Sequence, residues 1–168
     1  IIALFTLSAG FSRPFSGKLA DNIGRIPVMI FGAGVCFVVG LSYPLLHFVS
    51  GFLFLRFAHG FSAGFTPTGT SAYVADTVPF AQRGEALGIQ SLFGSLGMAA
   101  GPALGGWIAS IWPINVLFYA AAFTAIFSIL ILVRLKETLT TKEPLRLGLF
   151  KLDKNEILEK RVLLPSTI

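Results

Sequence analysis

Long apolar runs alternate with short polar connections along most of the chain, and the lengths of those runs set the first expectation. A helix needs about 20 mainly apolar residues to cross a bilayer. Pro27 to Phe48, Gly51 to Val74, Ala86 to Ile111 and Pro113 to Val133 reach or approach that length, and Ile1 to Ser16 reads as the end of another such helix. Between them, Ser16 to Arg25 and Asp76 to Glu85 carry charge, whereas His47 to Gly51 and Trp112 to Asn115 contain no Lys, Arg, Asp or Glu. Lys18, Arg25, Arg83, Arg134, Lys136 and every later cation fall on one side of this alternation. Cations favour the cytoplasmic side. The pattern therefore predicts a multi-pass protein of the cell membrane, with loops 17–26 and 76–85 and the tail 135–161 cytoplasmic. Tyr43 and Trp112 stand at the uncharged ends, where aromatic rings favour the interface.

The connection Gly17-Lys18-Leu19-Ala20-Asp21-Asn22-Ile23-Gly24-Arg25 cannot lie in hydrocarbon, because unsatisfied polar groups there cost several kcal/mol each. It is expected at a membrane surface. From Lys136 to Arg161 the sequence turns polar and mixed in charge. This stretch reads as a linker, either a partly disordered connector or one in which Leu149, Phe150, Leu152, Ile157 and Leu158 form a short amphipathic helix on the membrane surface. Residues 162–168 turn apolar again and read as the opening of a further helix. The expected division is thus a helical bundle over 1–134, a linker over 135–161 and a helix start over 162–168. The chain opens on Ile1, directly in apolar sequence, and is expected to be a piece of a longer protein.

Composition narrows the class. Hydrophobic residues make up 54% of the chain and charged ones 12%, with a mean hydropathy of +0.78, which excludes an ordinary soluble domain. The net charge of +5 arises mostly after Val133, so it fits attraction to anionic headgroups and not a nucleic-acid surface. Cys36 is the single cysteine, which leaves no intrachain disulfide and no cysteine-built metal site; its expected role is packing. No metal or cofactor is expected.

Three segments carry candidate chemistry. In the polar connection, Gly24 suits a positive φ, Gly17 a close helix approach, and Arg25 can pair with Asp21. In Arg56-Phe57-Ala58-His59-Gly60-Phe61-Ser62-Ala63-Gly64 a guanidinium sits inside an apolar run, at a cost of at least about 2.5 kcal/mol near mid-bilayer. It should face a cavity or partner, or else snorkel to the outer surface. Gly60 and Gly64 follow at four-residue spacing and allow a neighbouring helix to approach. His59, within the Gly51 to Val74 run, ordinarily titrates near neutral pH, and is either a packing residue or a proton carrier. In the third segment Gly97, Gly101 and Gly105 recur every four residues, Pro102 removes a backbone hydrogen bond, and Gly106 follows.

In order and spacing these segments resemble the N-terminal half of a major facilitator superfamily transporter, from the end of its second helix to the start of its seventh. The resemblance covers essentially the whole chain. It implies an all-α membrane protein, a partial six-helix bundle built from three-helix repeats of inverted topology. It further implies secondary active transport of small molecules by alternating access, in the manner of a drug:proton efflux antiporter. Gly17, Asp21, Gly24 and Arg25 would form the gating loop, Asp21 stabilising the outward-facing state by contacting a helix end in the other half. Arg56, His59, Gly60 and Gly64 would line the cavity and serve coupling, and Gly97, Gly101, Pro102, Gly105 and Gly106 match the motif associated with antiporters. Asp76 and Arg83 would join Asp21 and Arg25 in a cytoplasmic charge cluster, or simply be solvated. Asn22 and Ile26-Pro27 depart from the family pattern, where basic residues are usual. Lys18 and Arg25 could also be plain topology determinants.

The implied partners are a small-molecule substrate, protons and the lipid bilayer, with no nucleic acid, and the implied state is a monomer. Uptake of a metabolite by symport is the alternative within the family; a non-transporting scaffold or sensor is the alternative outside it. The chain contains 17 phenylalanines, and Phe57, Phe61 and Phe65 either line an apolar cavity or face lipid. No glycine-rich phosphate loop followed by Lys and Ser/Thr appears, so nothing supports a nucleotide as energy source. An intramembrane enzyme would need a nucleophile with its base, a metal pair or paired carboxylates at depth. Ser62 and His59 come nearest but lack an acidic orienting group, so no catalytic residue is assigned. All eight acidic residues lie at cytoplasmic ends or in the tail, so a carboxylate proton carrier would have to lie elsewhere in the protein.

Overall fold

A computed structural model describes residues 2–46 and 48–140. These residues form five helices: α1 (Ile2–Ile23), α2 (Arg25–Ser42), α3 (Val49–Thr77), α4 (Arg83–Ile111) and α5 (Ile114–Leu132). Single 3-10 turns at Tyr43–Leu45 and Phe80–Gln82 close two of the connections. The described residues contain no strand. Of the linker expected over 135–161, residues 141–161 lie outside the described residues, as does the helix start expected over 162–168.

The helices run past the apolar stretches that announced them. Residues 17–23, expected as a connection, continue α1, and only Gly24 separates α1 from α2. Asp76 likewise lies in the last turn of α3, and Arg83 opens α4. Hydropathy reports where lipid ends, whereas a helix needs only backbone hydrogen bonds and continues into the headgroups. At about 1.5 Å per residue the 29 residues of α3 span about 43 Å, well beyond a hydrocarbon core of about 30 Å. α2 starts two residues before Pro27, which occupies its first turn, where a missing N–H leaves no helical bond unmade. By length and composition, three stretches of the described residues could cross a membrane: Arg25–Leu45, Phe80–Ile111 and Ile114–Leu132. α1 and α3 carry too many Ser, Thr and charged side chains to meet the same measure; of these Ser8, Ser12, Ser16 and Ser62 are buried against protein.

α3 is the hub. It packs along α1 on one side and α2 on another, and α2 in turn packs on α5. Leu19, Ala20, Val28 and Phe65, with Ile23 and Phe61, form one apolar cluster; Val39, Tyr43 and Leu55, with Phe52 and Phe118, form a second nearer the opposite end. Glycine notches set the separations. A Cβ on Gly60 would lie 2.6 Å from the Phe5 carbonyl oxygen, one on Gly64 2.9 Å from that of Ala9, and one on Gly69 2.7 Å from Met29 Cγ. α4 touches α3 and α5 only lightly and buries none of its residues.

Candidate functional site

The polar ends of α1, α2 and α3 converge with the chain leaving α5. Gly24 takes φ 120° and ψ 158°, a region open essentially to glycine alone, and is the one positive-φ residue described. The turn it makes points the first N–H groups of α2 away from α1, where no side chain of the connection caps them. Glu137 does so from across the sequence: its carboxylate accepts the N–H of Arg25 at 2.9 Å and of Ile26 at 3.1 Å. It also accepts the N–H of Thr138 at 3.0 Å and of Leu139 at 3.3 Å. Burial opposes ionisation of this carboxyl, but the four backbone donors outweigh it and hold the group below its ordinary value.

Arg25 binds the same region from its side chain. Its guanidinium contacts Asp21 at 2.9 Å, Asp76 at 2.9 Å through Nε, and the Ala20 carbonyl. Thr138 Oγ1 donates to Asp76 at 3.1 Å, and Tyr73 Oη donates to the Lys136 carbonyl at 3.2 Å. Residues 136–139 thus form a strap joining the start of α2 to the end of α3. The structure brings Asp21, Gly24, Arg25 and Asp76 together. It leaves Arg83 apart: among the described residues its guanidinium lies over the Phe80 ring, 5.4 Å from the centroid, and not in the cluster expected for it. A Cβ on Gly17 would meet only Thr68 Cγ2 at 4.0 Å, so packing does not require glycine there.

Further along, α1 offers α3 a row of serines. Ser8, Ser12 and Ser16 recur every four residues, are almost fully buried, and face the notches at Gly60 and Gly64. Each returns its hydroxyl to its own helix, and Ser16 also donates to the Gly64 carbonyl at 3.0 Å. Small hydroxyl side chains let the backbones approach while leaving no polar atom unmatched in an apolar surround.

This close seam holds Arg56 and His59 near the α1 face. Arg56 stands seven residues into α3, about 10 Å from its start. Its guanidinium carbon lies 6.0 Å from each of the Phe5, Tyr43 and Phe52 ring centroids, a cage of three π faces. Arg56 Nε, Tyr43 Oη and His59 Nδ1 are buried without a hydrogen-bond partner among the described residues. The His59 ring meets Phe5 edge-on at 5.6 Å, and its Nε2 lies 3.8 Å from Cys36 Sγ.

The α4 residues stand apart from all of this. A Cβ on Gly97, Gly101 or Gly106 would meet nothing within 4 Å, and one on Gly105 only Leu117 Cδ1 at 3.3 Å. The glycine stripe beside Pro102 is an open face among the described residues.

The sequence does not single out Glu137, Thr138, Tyr73 or the serine row, and it marks Tyr43 only as an interfacial ring and not as part of the Arg56 cage. The serine row had a signal in its four-residue spacing. Nothing local marks Glu137 off from the other acids of the tail.

A helical bundle with stretches of membrane-spanning length, a charged joint at one end and a caged arginine is an all-α membrane protein. The chain matches the Major Facilitator Superfamily over residues 1–166 and belongs to it. It is 34% identical over 143 residues to Multidrug resistance protein 2 of Bacillus subtilis, covering 85% of this chain and 36% of that protein. It is 36% identical over 141 residues to the multi-drug resistance efflux pump PmrA of Streptococcus pneumoniae, covering 81% and 34%. It is 30% identical over 111 residues to the quinolone resistance protein NorA of Staphylococcus aureus, covering 66% and 29%. The chain spans about a third of the length of the curated relatives it matches.

Proposed function

We propose that this chain is part of the N-terminal half of a proton-coupled antiporter that exports small lipophilic molecules by alternating access. The observation that carries the reading is Arg56. A guanidinium caged by Phe5, Tyr43 and Phe52, with Nε unpaired among the described residues, is costly at membrane depth, and a functional partner offsets that cost. It can hold a carboxylate or substrate group in one state and release it in another. His59, one turn along α3, is the accompanying titratable group. The names of the relatives, two multidrug proteins and a quinolone resistance protein, support drug-like substrates and export over uptake.

In this reading 1–134 is the bundle, 135–161 the cytoplasmic linker and 162–168 the start of the next helix, and the charged joint at Asp21, Arg25 and Asp76 faces the cytoplasm. The exposed Asp21 is free to meet a helix end of the other half, while Arg25 keeps it within reach. The open stripe at Gly97, Gly101, Pro102, Gly105 and Gly106 is the sliding face against that half. The working unit is a monomer.

The test is efflux of lipophilic cations and quinolones from vesicles holding the full-length protein under an imposed pH gradient, wild type against Arg56→Ala at equal expression. Gradient-driven efflux lost in the variant supports the reading. Efflux independent of the gradient, or uptake in its place, overturns it; efflux indifferent to the substitution removes Arg56 from the coupling.

A further inference from the structure

A second cation stands in the middle of a helix, on a face that the serine seam does not use. Arg13 is the twelfth of the 22 residues of α1, with about 16 Å of helix on either side, close to half of a hydrocarbon core of about 30 Å. The register against α3 gives the same depth: Ser8 faces Gly60 and Ser12 faces Gly64, which puts Arg13 level with the middle of Val49–Thr77. Its side chain is exposed, and among the described residues its guanidinium has no hydrogen bond, ion pair or ring contact. Both helix ends are too distant for it to snorkel. Against lipid, an arginine at this depth costs at least about 2.5 kcal/mol.

The other residues of α1 settle which way it faces. Ser8, Ser12 and Ser16 meet α3. Leu7 and Phe11 are exposed, and the Phe11 ring lies 5.3 Å from that of Phe15, which makes an apolar face suited to lipid. Arg13 is two residues from Phe11 and two from Phe15, about 200° round the helix from each, and so stands on the far side from that face. About one turn away on either side of it are glycines. A Cβ on Gly10 would meet nothing within 4 Å, and one on Gly17 only Thr68 Cγ2 at 4.0 Å, so the space beside the guanidinium is open to a ligand. Gly17 and the exposed Asp21 continue this face to the charged joint, where Asp21 is turned towards the other half. Arg56 is a separate site: Phe5, whose ring belongs to its cage, precedes Arg13 by eight residues, about 12 Å of helix, so one carboxylate cannot serve both cations.

We propose that Arg13 binds the carboxylate of the transported molecule, which makes amphiphilic carboxylic acids and zwitterions the preferred cargo over compounds carrying only positive charge. The planar guanidinium matches a carboxylate with two parallel hydrogen bonds, and the low dielectric at this depth strengthens them. The same charge repels a purely cationic compound. Lipid phosphates stay at the surface, too far away to take the site. This assignment rests on the exporter reading above, since it needs a cavity between two halves.

The experiment is equilibrium dialysis, with no pH gradient, of a radiolabelled quinolone carboxylic acid and of its carboxamide against the full-length protein in detergent micelles. Wild type should bind the acid more tightly than the carboxamide. Arg13→Gln should weaken the acid at least about tenfold, the loss of one charge-assisted pair, and leave the carboxamide within about twofold. Arg13→Lys, which keeps the charge and loses the fork, should fall between. An unchanged ratio of acid to carboxamide affinity in Arg13→Gln overturns the proposal, and equal weakening of both compounds would assign Arg13 to an acidic side chain elsewhere in the protein. Failure of wild type to bind the acid overturns it as well. Should Arg13→Gln not fold, a wild-type ratio in Arg13→Lys does the same. A shifted ratio in Arg13→Gln beside a wild type that shows no gradient-driven efflux supports the carboxylate site and overturns the exporter reading alone.

Discussion

Gly24→Ala and Glu137→Ala together test the strap. At φ 120° and ψ 158° an alanine is strained by about 1–3 kcal/mol. Its Cβ would also run into the Glu137 carboxylate, 2.8 Å from Cδ, with Pro27 Cδ closing the other side at 3.3 Å. The carboxylate must then leave the α2 N–H groups of Arg25 and Ile26. An N-terminal cap contributes about 0.5–2 kcal/mol and a charge there about 0.3–1 more. Water reaches this carboxylate and screens it, so its loss costs about 1–2 kcal/mol. Glu137→Ala alone should therefore cost about 1–2 kcal/mol and Gly24→Ala about 2–5 kcal/mol. Because Gly24→Ala has already displaced the carboxylate, adding Glu137→Ala should change little.

Hydrogen exchange at the amides of Arg25, Ile26, Thr138 and Leu139 in detergent micelles reads this directly. Glu137→Ala should speed their exchange about 5- to 30-fold, the factor that one or two kcal/mol represents. The α2–α5 contact further out should keep wild-type protection. Two results refute the reasoning: unchanged exchange at Arg25 and Ile26 in Glu137→Ala, or full additivity in the double variant, which would show that the two residues do not share one interaction.

Two further outcomes follow from the same geometry. Gly60→Ala places a Cβ against the Phe5 carbonyl, which cannot yield as a side-chain tip would, so α1 must shift at a cost of about 1–3 kcal/mol and a lowered melting temperature. Acidification should release the strap. Glu137 titrates below its ordinary value of 4.5 in the folded chain, so the unfolded chain binds more protons and the strap's stability falls as pH drops through the folded value. Exchange protection at Arg25 and Ile26 should hold from neutral pH to about pH 5 and decline below 4.5, after correction for the intrinsic pH dependence of exchange, with Glu137→Ala flat across the range.

The sequence by itself determined that the chain crosses a membrane several times, which connections carry the charge, and which segments hold the candidate chemistry. Those features are local: a run of apolar residues reports its own transfer energy, and the placement of Lys and Arg between runs needs no knowledge of packing. Arg56 was conspicuous because a charge inside an apolar run is costly wherever the helix packs. Helix ends were less legible, since 17–23 and Asp76 are polar yet helical, and hydropathy stops at the lipid boundary. Only the tertiary structure decided what these residues meet. Glu137 reaches Arg25 across 112 positions, Ser16 reaches Gly64 across 48, and His59 reaches Cys36 across 23. Among the described residues the same structure kept Arg83 out of the charge cluster and left Gly97, Gly101 and Gly106 of α4 without a neighbour. Such pairings depend on how far each helix is rotated and slid against its neighbour. Those two quantities are set by the sum of many small contacts along the glycine and serine seams, and no single stretch of sequence carries them.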